Sequence, residues 1–250
     1  IINLLTTIII ISFLCVRYKI NKNIFLILIL TLISPFLVNG PLMEWTALPD
    51  QSKYLKVTLQ IRNFEFSEIN FGRSQYIPSA IFALTPLPFI HSFNDIGIAN
   101  RLLLSLLIIF LVKKKTPHLF IYYIILSPTL LLYSSTALKE TVVLIFTIMI
   151  FYTILKKKYL SFFFPYIFLL AFKKQNGLIL LPLYFFHLIY FNLNFKFNRF
   201  FIIIIFSIFI FLVFFFDDFI LNSINYYRFN FFLEDSGVNF QGFTSIGNLM

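Results

Sequence analysis

The charged side chains of this 250-residue chain are sorted into two kinds of segment, and this sorting constrains the fold more than any other feature. Four basic clusters hold eleven of the twenty Lys and Arg residues, and all ten Asp and Glu residues lie outside them. The clusters are Arg17, Lys19 and Lys22; Lys113 to Lys115; Lys156 to Lys158; and Lys196 with Arg199. Basic residues are retained on the cytoplasmic side during membrane insertion. The pattern predicts that the clusters face the cytoplasm and that the acidic segments face outward.

The whole chain is strongly apolar, with 60% hydrophobic residues, which excludes an ordinary soluble domain. A membrane-spanning helix needs about 20 apolar residues. The sequence therefore predicts an all-α fold, a polytopic transmembrane helix bundle of about eight spans. The predicted spans are 1–16, 24–42, 96–112, 117–134, 137–155, 159–172, 177–195 and 200–216. The predicted outer loops are 39–95, 134–140, 173–176 and 217–250.

The large outer loop 39–95 is expected to carry interfacial elements. Segment 76–93 contains Pro78, Pro86 and Pro88, which break regular helix, so we predict a re-entrant or interfacial element that does not cross the bilayer. From Asp50 onward, apolar residues recur at helical spacing, which predicts an amphipathic helix in the headgroup plane. Its apolar face would contain Tyr54, Val57, Ile61 and Phe64, and its polar face Lys53, Lys56, Gln60 and Asn63.

The chain begins with Ile1 inside an apolar run and ends at Met250 in a polar loop, so we expect a fragment of a longer protein. The whole chain, 1–250, is predicted to form a single integral membrane domain. Its formal net charge of +10 follows from insertion topology, and no nucleic-acid partner is expected. The single Cys15 is predicted to be a buried structural thiol.

Two outer carboxylates are the predicted catalytic residues. Asp50 follows Pro49 at the start of the interfacial helix, where a carboxylate can act as a general base toward a sugar hydroxyl. Asp50 in this place also suits a purely structural helix cap, and both interpretations stay open. Glu44 is the second predicted catalytic carboxylate.

Basic residues on the predicted outer side suit an anionic substrate. Lys173 and Lys174 bind either lipid headgroups or the diphosphate of a lipid-linked substrate. Lys139 lies in the first turn of a helix, where a cation is disfavoured unless it pairs with Glu140 or shares an anion. Arg101 is expected to face protein or water because a cation is costly in lipid. The remaining predicted phosphate-binding residues are Arg62, Arg73 and Arg228.

Other chemistries are not indicated by the sequence. His91, His118 and His187 are far apart, so no metal site is predicted, and no cofactor is expected. No carboxylate lies near the middle of a predicted span, which disfavours an ion-coupled transporter.

Several stretches resemble membrane enzymes of bacterial surface-polysaccharide assembly. The run from PDQSKYLK through RSQYIPSAIFALTPLPF to DIGIANRLLLSLLIIFL resembles the first outer loop of the GT-C glycosyltransferases. The stretches SPTLLLYSSTALKETVVL, LLAFKKQNGLILL and INYYRFNFFLEDSG are similar to O-antigen polymerases. The resemblance implies that Asp50 matches the GT-C catalytic Asp, with Gln51 where the pattern has a second acidic residue. It also implies basic positions near the lipid phosphate at Arg101, Lys139, Lys173 and Lys174.

The resemblance implies a multi-pass glycosyltransferase of the bacterial cytoplasmic membrane that polymerises polyprenyl-diphosphate-linked repeat units of O-antigen or capsule. One alternative is a GT-C transferase that moves a single sugar from a polyprenyl phosphate. An alternative from another class is a polysaccharide flippase. The implied partners are the lipid-linked sugar, membrane lipid and a chain-length regulator.

The predicted topology is testable by cysteine accessibility. With the thiol moved from Cys15 to Ser67 or to Ser236, an impermeant reagent should label both sites in intact cells, because both loops are predicted to be extracytoplasmic. Protection of both positions would contradict the topology.

Overall fold

The computed structural model describes residues 1–42, 50–66, 75–156 and 159–173, together with 176, 177, 180, 184 and 187. These residues form helices and turns without any strand, as the all-α class predicts. The chain divides into the units Ile1–Leu188 and Ile189–Met250, and every described residue belongs to the first. The single membrane domain over 1–250 stays a prediction.

Ten α-helices follow one another in the described part of the chain, with a π-helical turn over Val38–Leu42 after the third. They are α1 (Ile2–Arg17), α2 (Lys22–Thr31), α3 (Ser34–Leu37), α4 (Asp50–Arg62), α5 (Tyr76–Ala83), α6 (Phe93–Lys113), α7 (His118–Leu126), α8 (Pro128–Ser135), α9 (Glu140–Leu155) and α10 (Tyr159–Phe172).

Helix α6 is the central element of the unit. It begins with a capping box, in which the Ser92 hydroxyl accepts the Asp95 N–H and the Asp95 carboxylate accepts the Ser92 N–H. Its 21 residues extend about 31 Å, which matches the hydrocarbon core of a bilayer. Most of α6 is buried, and it packs against α1, α8 and α9. The other helices are therefore arranged around this span.

Helix α1 has the inside-out pattern of a membrane helix. Its buried face carries the small or polar residues Asn3, Thr7 and Cys15 along with Ile11, at a spacing of four. Its exposed face carries large apolar side chains, such as Ile9 with 68% of its surface exposed. Lipid favours exposed apolar side chains, and small or polar residues allow close helix contacts. The burial pattern of α1 therefore suits a lipid environment.

In the described part of the chain, fewer helices than predicted are long enough to span a membrane. Two of the described helices have the necessary length and composition: Lys22–Leu42, which joins α2, α3 and the π-helical turn, and α6. Helices α7 and α8 are bent by 56°, and they add a third span if the pair crosses together. The bend falls at Ser127 and Pro128, because the residue before a proline disfavours helical geometry.

The remaining predicted spans are either shorter helices or segments outside the described residues. Helices α1, α9 and α10 are apolar but have 16, 16 and 14 residues. That is below the usual 17 to 25 residues of a span. The predicted spans 177–195 and 200–216 and the outer loop 217–250 lie outside the described residues, apart from four isolated positions. The total of eight spans stays a prediction.

Helix α4 begins at Asp50, where the sequence predicted a helix to start, but its buried face is different from the prediction. Gln60, assigned to the polar exposed face, is 7% exposed, while Phe64 lies beyond the helix end and is 79% exposed. The other buried residues of α4 are Gln51, Tyr54 and Thr58. Helix α4 packs on α5 and α6 through this partly polar face. Its position in the headgroup plane stays a prediction.

Segment 76–93 contains helix α5, of eight residues, followed by an irregular stretch. Eight residues extend about 12 Å, too short to cross a bilayer. Pro78 lies inside the first turn of α5, where the missing N–H breaks no helical bond. Pro86 and Pro88 lie in the irregular stretch.

The glycine Gly97 lets α6 pack closely against two other elements. A Cβ atom on Gly97 of α6 would lie 2.3 Å from the Ser135 carbonyl oxygen and 2.9 Å from Pro35 Cβ. Three elements therefore meet at Gly97 without room for any side chain.

We expect Gly97→Ala to lower thermal stability in detergent. Alanine favours the helix by about 1 kcal/mol, but the clash with backbone costs about 1–3 kcal/mol or more. Each net kcal/mol corresponds to a drop of about 2–4 °C in the unfolding midpoint. Gly40→Ala is the matched control, because nothing lies within 4 Å of its Cβ position. Equal midpoints for the two variants would show that the close contact is absent.

Candidate functional site

The turn between α8 and α9 is held beside α6 by a buried asparagine. Asn100 Nδ2 donates to the carbonyl oxygens of Thr136 and Leu138 at 2.7 and 2.9 Å. Asn100 lies seven residues into α6, or about 10 Å along the helix axis. Thr136 and Leu138 are buried, so protein must supply the hydrogen-bond partners of their carbonyls. Asn100 performs this role for two of the turn's carbonyls.

A second side chain, from α4, holds the same turn. Gln51 Oε1 accepts the Ala137 N–H at 2.8 Å, and Gln51 is only 3% exposed. This bond joins the first turn of α4 to the residues that precede α9. The side chains of Gln51 and Asn100 thus fix the backbone at Thr136, Ala137 and Leu138, directly before Lys139.

Hydroxyl and guanidinium groups hold the end of α8 in a similar way. The Ser34 and Ser135 hydroxyls are 2.5 Å apart, and Asn39 Nδ2 donates to the Ser135 carbonyl oxygen at 2.9 Å. Arg101 Nε donates to Ser34 Oγ at 2.9 Å and to the Thr31 carbonyl oxygen at 3.1 Å. The Thr31 carbonyl is thereby occupied at the break between α2 and α3.

The pinned turn leads into a lysine, Lys139, whose pKa responds to charged residues of three elements. Lys139 and Glu140 begin α9, Asp50 begins α4, and Lys173 follows the last residue of α10. The charges of Lys173, Glu140 and Asp50 each affect the pKa of Lys139. We call these four residues, with Tyr54, the charged cluster.

The pKa of Lys139 is lowered from its usual value. Burial is the main cause because it disfavours the ammonium form, and repulsion from Lys173 adds to it. Attraction to Glu140 and Asp50 acts in the opposite direction. Two cations held close together and partly desolvated favour an anion between them.

Tyr54 supplies a protonated phenol beside the carboxylates. It is 2% exposed, and its pKa is raised by burial and by the charges of Glu140 and Asp50. The phenol therefore keeps its proton. Glu140 has one carboxylate oxygen, Oε2, that is buried and accepts no hydrogen bond among the described residues.

Asp50 is the most accessible member of the charged cluster. Its carboxylate is 3.0 Å from Lys53 Nζ, and the two side chains are 58% and 43% exposed. An ion pair this exposed contributes little, so it restrains Asp50 weakly. The carboxylate can exchange Lys53 for another partner.

The structure gathers some of the predicted site residues and separates others. Asp50, Lys139 and Lys173 belong to the charged cluster, whereas Arg101 is buried against Thr31 and Ser34. Arg62 lies at the other end of α4, where it donates to the Ala83 and Thr85 carbonyls. Four predicted residues lie outside the described residues: Glu44, Arg73, Lys174 and Arg228.

Sequence reasoning did not identify Gln51, Asn100 or Tyr54 as parts of the site. Gln51 and Asn100 act on backbone groups 86 and 36 or 38 residues away, which no local pattern reveals. The available signals were two amide side chains in unexpected places. Gln51 lies at the beginning of an amphipathic helix, and Asn100 lies inside an apolar span.

No metal-binding group of three His, Cys, Asp or Glu residues occurs in the described ranges. No protein-family model matches the sequence, and no curated protein or solved structure is significantly similar to it. The residues of the charged cluster therefore carry the functional argument.

The charged cluster is testable through the titration of Lys139. Replacing Lys173→Gln should raise the pKa of Lys139, because a repelling charge is lost. Replacing Asp50→Asn should lower it, because an attracting charge is lost. The pKa is measured by NMR on ¹³C-methylated lysines, and the Lys139 signal is identified by its absence in Lys139→Arg.

Lys56→Gln is the control, since Lys56 is an exposed lysine of α4. It should leave the Lys139 titration unchanged. Identical Lys139 titrations in the Lys173 and Asp50 variants and in the unaltered chain would contradict the cluster.

Proposed function

We propose that this chain is a multi-pass glycosyltransferase of the bacterial cytoplasmic membrane that works at the outer face. It polymerises oligosaccharide repeat units carried on polyprenyl diphosphate, for O-antigen or capsule. The bundle of about eight spans, the outward orientation and a protein partner that regulates chain length belong to the same proposal.

One observation supports the proposal above the others. Gln51 in the first turn of α4 bonds the turn before α9, and the charges of Asp50, Glu140 and Lys173 all act on Lys139. Asp50 and Glu140 also act on the buried phenol of Tyr54. A transferase that uses a lipid diphosphate needs a base for the acceptor and cations for the leaving group. The charged cluster contains both kinds of group.

In the proposed reaction, Asp50 takes the proton of an acceptor hydroxyl. The hydroxyl oxygen attacks the anomeric carbon of the donor sugar and forms the new glycosidic bond. The bond from that carbon to the diphosphate oxygen breaks, and its electron pair remains on the diphosphate. Glu140, with its unbonded buried oxygen, is the alternative base if Asp50 only caps α4.

Lys139 and Lys173 are placed to stabilise the leaving diphosphate. Their repulsion and the burial of Lys139 disfavour the ammonium form of Lys139. A bound diphosphate removes this penalty, and it does so most as its negative charge grows in the transition state. The interaction therefore favours transfer over simple binding.

Two other functions remain as alternatives to the polymerase. A GT-C transferase that moves one sugar from a polyprenyl phosphate would use the same carboxylate, and it differs only in making a single addition. A polysaccharide flippase needs charged side chains along a path through the spans. Among the described residues, Arg101 is the one fully buried charged side chain, which favours an enzyme over a flippase.

Substitutions at Asp50 separate the base from the cap. Asp50→Asn keeps a good helix cap but cannot accept a proton, whereas Asp50→Ala loses the cap at a cost of about 1 kcal/mol. If Asp50 is the base, both variants lose about a hundredfold or more in rate while the protein still accumulates in the membrane. The assay is the chain-length distribution of surface polysaccharide in cells that lack their own polymerase.

Glu65→Gln is the matched control, because Glu65 is an exposed carboxylate just beyond the other end of α4. It should give chains of normal length. Normal chains from Asp50→Asn would remove Asp50 from the reaction, and a further loss in Glu140→Gln would then assign the base to Glu140.

A further inference from the structure

A pocket lies at the Arg62 end of α4, away from the charged cluster. It has a volume of about 480 Å³, within the range of small-molecule sites. Its lining includes Arg62 and Asn63 on one side and Pro88, Phe89 and His91 on the other. Arg62 lies twelve positions after Asp50 in α4, so this pocket is about 18 Å along the helix from the charged cluster.

The cationic wall of the pocket is held in place by backbone acceptors. Arg62 Nε donates to the Ala83 carbonyl oxygen at 3.2 Å, and Nη2 donates to the Thr85 carbonyl oxygen at 3.1 Å. These bonds use two of the five guanidinium N–H donors and fix its plane. The other donors meet no acceptor among the described residues, and a planar donor set of this kind suits a carboxylate or phosphate.

The opposite wall is also preformed. The Phe89 N–H donates to Asn3 Oδ1 at 3.2 Å, and the Phe89 carbonyl oxygen accepts from Asn3 Nδ2. The His91 N–H donates to Asp95 Oδ2 at 3.0 Å. The Phe89 and His91 rings stack with centroids 6.3 Å apart and planes at 29°. A flat ring pair is therefore presented on a backbone that needs no rearrangement to bind.

The charge of the lining selects the ligand. None of the lining residues is an acid, and the nearby Asp95 carboxylate already accepts bonds from His91, Ser92 and Asn3. Phe89 is 49% exposed, so a ligand ring can cover it. The Asn63 amide and the His91 imidazole add polar groups beside this apolar surface, and Asn63 Nδ2 donates to the exposed Glu65 carboxylate at 3.3 Å. An anionic group on a ring that also bears hydroxyls satisfies all of these features.

We propose that the pocket between Arg62 and the Phe89–His91 ring pair binds an acidic sugar, a pyranose ring that carries one carboxylate or phosphate. The anionic group bonds to the free N–H donors of Arg62, and the ring lies against Phe89. This site is separate from the charged cluster, and binding there requires no glycosyl transfer. It therefore stands or falls independently of the proposed function.

The test uses the full chain in nanodiscs of neutral phosphatidylcholine, with glucuronic acid and glucose as ligands. Dissociation constants come from saturation-transfer NMR titrations. Glucuronic acid should bind about 10- to 150-fold more tightly than glucose, because only its carboxylate bonds to Arg62. Arg62→Gln should abolish that preference, and Lys56→Gln, an exposed cation on the same helix, should retain it.

Arg62 also holds two carbonyls, so a second variant guards against misfolding. Phe89→Ala keeps the backbone bonds to Asn3 and removes only the ring, and it should weaken binding of both sugars. Phe64→Ala, an exposed phenylalanine outside the pocket lining, should not. Equal affinities for the two sugars, or unchanged affinity in both Arg62→Gln and Phe89→Ala, would overturn the proposal.

Lipid headgroups carry the same anionic chemistry, and the nanodisc composition distinguishes them. Adding phosphatidylglycerol should leave glucuronic acid binding unchanged if the pocket is a sugar site. Loss of that binding in phosphatidylglycerol nanodiscs, restored by neutral lipid, would overturn the sugar assignment and identify the occupant as a headgroup.

Discussion

The turn between α8 and α9 lies beside α6 only because side chains from other helices satisfy its backbone. Asn100 bonds two of its carbonyls, and Gln51 bonds the N–H between them. These backbone groups are buried, and a buried peptide group without a hydrogen bond costs about 1–3 kcal/mol. Removing these amides would therefore favour withdrawal of the turn toward water, and Lys139 and Glu140 would move with it. The position of the charged cluster depends on this backbone anchoring.

Helix α4 links two sites that differ in chemistry. At its first turn, Asp50 and Tyr54 join the lysines that suit a diphosphate. At its last turn, Arg62 forms a wall of a pocket with an aromatic opposite side. The helix packs on α5 and α6 through a partly polar face, so its rotation is fixed by hydrogen bonds as well as by apolar contact. A rigid helix between the sites keeps their separation constant.

Local sequence patterns predicted where helices occur better than they predicted the contacts between those helices. Helix α6 was predicted over 96–112 from its apolar run and extends over Phe93–Lys113. It starts three residues earlier because Ser92 and Asp95 form a capping box that the apolar pattern did not include. The start of α4 at Asp50 was also predicted from a local pattern. The buried face of α4 was predicted wrongly, because the partner of Gln51 is 86 residues away. Arg101 breaks no local rule, yet its bonds reach a carbonyl 70 residues earlier.

Reconstitution of the purified chain tests the central claim most directly. The chain is placed in proteoliposomes and supplied with a polyprenyl-diphosphate-linked oligosaccharide as the sole sugar source. The account predicts lipid-linked products with two or more repeat units and one free polyprenyl diphosphate for each new glycosidic bond. Recovery of the donor unchanged, or its movement across the bilayer without a new bond, would contradict the account.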